Sequence, residues 1–129
     1  MDMKKIMAIT MLLVSLLTST CFAADWYWLV STDTTSHFVD RDSGQWNGSQ
    51  LTCTEKAILN NDRYVLLDVT YDYSDYPRIK RRQNYIWFYN ADGTSTGSDS
   101  DYKWEPLPPE SNGEAIAIME YHLFKSRRN

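Results

Sequence analysis

The decapeptide YVLLDVTYDY (Tyr64 to Tyr73) alternates side-chain character with a period of two. Val65, Leu67, Val69, Tyr71 and Tyr73 fall on one side, and Asp68, Thr70 and Asp72 on the other. Only a strand with one face on a core and one facing solvent reads this way. A half-buried strand of this kind belongs to an antiparallel sheet with one face covered. The flanking sequence repeats the pattern. DWYWLVSTD (Asp25 to Asp33), SHFVD (Ser36 to Asp40), LTCTEKAIL (Leu51 to Leu59) and RIKRRQNYIWFYN (Arg78 to Asn90) are rich in aromatic and β-branched residues. Asn47-Gly48 and Asp92-Gly93 are turn pairs, and SDYP (Ser74 to Pro77) ends the central strand. RDSGQWNGSQ (Arg41 to Gln50) and ADGTSTGSDSD (Ala91 to Asp101) read as polar connections, and YKWEPL (Tyr102 to Leu107) as a short edge strand.

The tail changes period. Ser111 and Glu114 have the spacing of a capping box, in which hydroxyl and carboxylate each satisfy a free backbone N–H at a helix start. Ile116, Met119 and Leu123 then form an apolar stripe, widened by Ala115 and Ile118. The expectation is an α+β domain, an antiparallel sheet of five to six strands with one C-terminal helix packed on a face. No internal repeat is present.

The other end of the chain has the layout of an export signal. Lys4 and Lys5 precede the uncharged run from Ile6 to Leu17, which is shorter than the roughly 20 residues of a spanning helix. Cys21 and Ala23 occupy the small-residue slots of a cut before Ala24. The expected organisation is therefore a signal peptide over 1–23 and a single domain over 24–129, exported to the periplasm, cell surface or medium. Cys21 is discarded with the signal, unless a lipoprotein peptidase uses it as an anchor site. Thr18, Ser19 and Thr20 suit that peptidase poorly.

With 13 basic against 17 acidic residues the net charge is −4, which argues against general nucleic-acid binding. The chain holds 2 cysteines and 2 histidines, His37 and His122. A zinc site from this inventory lacks ligands, and no zinc-protease, nucleophile-elbow or phosphate-loop motif occurs. The loop opening at Asp92 fails as a calcium loop, because Thr94, Thr96 and Lys103 stand where oxygen-rich ligands are required. No catalytic residue, cofactor site or metal site is therefore assigned, and the protein is expected not to be an enzyme. Cys53 reads as a small buried hydrophobe, an intermolecular disulfide partner or a reactive thiol. The remaining candidate is RIKRR, where Arg78, Lys80, Arg81 and Arg82 concentrate positive charge in an acidic chain. Arg78, Lys80 and Arg82 point one way along a strand and Arg81 the other. This patch is the expected contact for an acidic protein surface or an anionic glycan.

WYWLVSTDTTSHFVD (Trp26 to Asp40), YIWFYNADG (Tyr85 to Gly93) and WEPLPPESNGEAI (Trp104 to Ile116), in that order, resemble the bacterial surface-adhesin protein E-like family. The resemblance implies a small exported protein with an antiparallel sheet, a C-terminal helix against it, and attachment to host matrix proteins. Two other readings stand beside it: a small-ligand binder using the aromatic sheet face, and an enzyme with an unrecognised site.

Overall fold

A computed structural model describes residues 24–128, so the expected signal segment lies outside the described residues. The strands are β1 (Trp26–Ser31), β2 (Thr35–Asp40), β3 (Gln45–Asn47), β4 (Gln50–Leu59), β5 (Tyr64–Asp75), β6 (Arg78–Tyr89), β7 (Ser95–Asp99) and β8 (Trp104–Pro106). Helix α1 (Asn112–Phe124) follows and runs into a 3₁₀ turn, Lys125–Arg127. All pairings are antiparallel, in the order β1-β2-β4-β5-β6-β7, with β3 beside β4 and β8 beside β6. The fold is thus the expected α+β arrangement, with a sheet of eight strands.

The two strands the sequence did not signal lie within its polar connections. β3 has three residues and forms around the Asn47-Gly48 turn, where Gly48 takes a left-handed φ of 62°. β7, Ser95–Asp99, is exposed at every position. No burial favours it. It forms because Ile86 to Tyr89 leave backbone groups unpaired, and the Asn90–Thr94 turn folds the chain back onto them. β5 also continues beyond the expected break, to Asp75.

Register assigns the two faces. Leu51, Cys53, Val69, Tyr71, Tyr73 and Ile79 face α1 and join Leu29, Val39, Ile116, Ala117 and Phe124 in one core. Ser111 caps α1 as expected, accepting from the Glu114 N–H at 3.1 Å. The reciprocal contact differs: Glu114 Oε1 accepts from the N–H of Glu110 at 3.2 Å, because the Ser111 N–H turns to the Pro108 carbonyl.

The buried stripe of α1 is rotated from the expected one. Ile116, Ala117, Glu120 and Phe124 face inward, while Met119 is 37% exposed. Phe124, 0% exposed, sets the rotation. Its ring lies so close over Gly44 that a Cβ there would overlap it. The helix end is held as well: Trp46 Nε1–H donates to the Phe124 carbonyl at 2.9 Å, one of the C-terminal carbonyls a helix leaves free. Midway along, the Tyr73 hydroxyl donates to the Ala117 carbonyl at 2.7 Å.

Candidate functional site

The basic strand divides as its alternation requires. Arg78, Lys80 and Arg82 pair with Asp75, Asp72 and Thr70 and lie on the face away from α1. Arg78 and Lys80 are exposed and line a cleft of about 560 Å³ with Ile79, Leu107, Asp72 and Glu114. Arg82 lies over the Trp104 ring at 4.8 Å, and its Nε donates to Asn84 Oδ1 at 2.7 Å. Arg81 turns to the covered face, where its Nη2 stands 3.8 Å from Glu55 Oε1. It is half-buried on that face and does not share the uncovered face with the other three.

The uncovered face carries more than charge. Trp26 and Trp28 on β1, Tyr64 on β5, Tyr85 and Trp87 on β6, and Trp104 on β8 all fall on it by register. The rings interleave with cations. Lys56 Nζ lies 4.7 Å from the Tyr64 ring and 5.4 Å from that of Trp26. Tyr85 and Trp87 pack at 4.6 Å between centroids. Between the rings runs a polar ladder: Asn84 donates to the Thr70 hydroxyl at 2.9 Å, and Thr70 meets Thr52 at 2.9 Å. Trp28 is 56% exposed. Among the described residues no helix lies on this face.

Under α1 lies a cluster that sequence reasoning missed. Cys53 and Glu55 on β4 and Glu120 on α1 are all buried, with one ligand atom of each within 4.8 Å of the others. The Cys53 thiol donates to Glu120 Oε1 at 3.4 Å, and the Tyr71 hydroxyl to Glu55 Oε2 at 2.6 Å. Glu120 is 0% exposed, and its Oε2 has no hydrogen-bond partner. Burial, and then the Glu55 charge, push the Glu120 carboxyl well above its ordinary range. Burial raises the Cys53 thiol too, with Glu120 and Glu55 adding to it. A thiol held this way is protonated and a poor nucleophile. His37 is lowered by burial, against the Glu55 charge, while His122 is exposed on α1. Cys53 and His37 line neither the 560 Å³ cleft nor a 390 Å³ apolar hollow at Tyr27, Met119 and Leu123. Two signals in the sequence pointed to the cluster. Glu55 falls in the inward register of Leu51 and Cys53, and Glu120 is four residues from both Ile116 and Phe124.

No protein-family model matches the chain. No curated protein matches it, and neither does a solved structure.

Proposed function

We propose that this chain is an exported, non-catalytic, adhesin-like binding module of a bacterial envelope, and that it holds an anionic glycan on the uncovered face of its sheet. The observation that carries this reading is the face itself: Trp26, Trp28, Tyr85, Trp87 and Trp104 on one side of the sheet, with Lys56, Lys80 and Arg82 among them. Aromatic rings offer flat apolar area at low conformational cost, and their polar neighbours orient what lies on them. The cations match carboxylated or sulfated sugars in a chain that is otherwise acidic. The export layout of residues 1–23 and the resemblance to the surface-adhesin protein E-like family support the same reading.

Titration with a sulfated oligosaccharide and its desulfated counterpart, followed by tryptophan fluorescence, tests the proposal. The sulfated form should bind more tightly. Changing Arg78, Lys80 and Arg82 together to Ser, or raising the salt, should weaken it, because exposed charges are screened. Trp87→Ala should weaken both sugars. Binding indifferent to all three changes, or confined to a protein partner, defeats the glycan assignment. The cleft at Arg78 and Lys80 favours a second reading, a small anionic ligand. That reading predicts that a monosaccharide binds the wild type and Trp87→Ala equally.

A further inference from the structure

The cluster under α1 is costly as it stands. A carboxyl group taken wholly out of water can ionise only where a counter-charge or a full set of donors meets it, and otherwise stays neutral at a cost to its unpaired oxygen. Glu120 accepts one hydrogen bond, from the Cys53 thiol, and its Oε2 meets no donor; its other neighbour in reach is the Glu55 carboxylate, itself an acceptor. Among the described residues, the cation paired with the cluster is Arg81, which stands off Glu55 at 3.8 Å. Such an inward carboxylate on a helix face otherwise built from Ile116, Ala117 and Phe124 calls for a partner.

We propose that Cys53, Glu55 and Glu120 form a closed structural site for a zinc-class divalent cation that ties α1 to β4. The donor set selects the ion. One thiolate with two carboxylates suits a borderline metal such as Zn²⁺, whereas Ca²⁺ and Mg²⁺ take oxygen only. Charge balance points the same way. Three anionic ligands beside the Arg81 guanidinium leave two negative charges, which one divalent ion neutralises. The distances require little motion. Ligand atoms around a tetrahedral zinc lie about 3.3–3.7 Å apart, given bonds of about 2.0–2.3 Å. Cys53 Sγ and Glu120 Oε1 are already at 3.4 Å, and the whole trio lies within 4.8 Å. Sγ and one oxygen each of Glu55 and Glu120 supply three corners of the shell, and the second Glu120 oxygen, which has no other partner, closes the fourth side as the longer arm of a bidentate carboxylate. Behind them Tyr71, donating to Glu55 Oε2, and Arg81 hold the Glu55 carboxylate in orientation, as outer partners of metal ligands do. Binding sends the protons of the Cys53 thiol and the Glu120 carboxyl to solvent, so affinity rises with pH. The site is independent of the glycan face, which lies on the other side of the sheet.

The test is a titration of the purified protein, stripped with a chelator under a non-thiol reductant, with Co²⁺ and then Zn²⁺. One equivalent of Co²⁺ should give a near-ultraviolet thiolate-to-cobalt charge-transfer band, Zn²⁺ should erase it, and Zn²⁺ should raise Tm. Cys53→Ser should abolish the band. Glu120→Gln has the same shape and should fold while losing the Zn²⁺-dependent rise in Tm. Tyr71→Phe, removing an orienting donor, should weaken Co²⁺ binding about 10–100-fold, and Met119→Ala should leave it unchanged. If a variant does not fold, zinc-edge X-ray absorption of the wild type decides, one sulfur with oxygen ligands being the expected shell. A folded wild type with no charge-transfer band and no Zn²⁺ effect on Tm overturns the proposal. A shell without sulfur, or a band undiminished in Glu120→Gln, does the same.

Discussion

Removing the Phe124 ring should nearly unfold the protein, while trimming Met119, five residues earlier on the same helix, should do almost nothing. Phe124 is 0% exposed, sits over Gly44 and is the last residue of α1. Phe→Ala at a fully buried position costs about 3–5 kcal/mol, from lost transfer energy and the cavity left behind. That is a large share of the roughly 5–15 kcal/mol that holds a domain together. Met119 is 37% exposed, and Ala is the better helix former, so Met119→Ala should lie within about 0.5 kcal/mol of wild type. Urea unfolding followed by tryptophan fluorescence separates the two. Trp46, bonded to the Phe124 carbonyl at 2.9 Å, reports on the helix contact. With a slope of about 1.5 kcal/mol per molar urea, the Phe124→Ala midpoint should fall by about 2–3 M and the Met119→Ala midpoint should hold. Equal losses in the two variants would refute the rotation assigned to α1. Two silent variants would refute its role as a lid.

Gly44→Ala should cost about 1–3 kcal/mol by overpacking, since the new methyl meets the Phe124 ring, and Phe124→Leu in the same chain should return part of it. Thermal melts of the single and double variants check this. In metal-free protein the raised Glu120 carboxyl makes stability depend on pH. Its favourable contribution is complete below its unfolded value of 4.5 and is lost as pH rises through the elevated folded value. Glu120→Gln keeps the shape and drops the titration. The stability of the variant relative to wild type should therefore climb from pH 5 to pH 8, and a pH-independent gap would show that the carboxyl does not titrate there. His37, depressed by burial, works in the opposite sense on the acid side, and the comparison with Gln cancels it.

Most of the sheet was legible because burial leaves an alternating trace. β5 is the clearest case, with Val69, Tyr71 and Tyr73 buried at the positions its period of two assigns. β7 left no trace, since its Ser-Thr-Gly-Ser-Asp sequence buries nothing and is positioned by the neighbouring strand alone. On α1 the sequence offers two stripes. The stripe of Ile116, Met119 and Leu123 is the more apolar, so hydrophobicity alone selects it. The real one passes through Glu120 because a long-range contact, Phe124 over Gly44, fixes the rotation, and local periodicity carries no record of that contact. The cluster escaped for the same reason. Cys53 and Glu120 are 67 residues apart and have meaning only once α1 lies across β4.

The rims of the sheet are as particular as its faces. On one side β1 carries a bulge between Trp28 and Val30 that breaks the run of backbone groups at the edge. On the other, β7 is short and wholly polar, and β8 ends in Pro106, which has no N–H to offer a further strand. A broad sheet with sticky rings on one face invites stacking of copies, strand against strand, into fibres. These rims offer a second copy little backbone ladder to extend, so the exposed ring of Trp28 stands on a sheet guarded against edge-to-edge pairing. Replacing the polar residues of β7 by valines should remove part of that guard and raise self-association, read by light scattering.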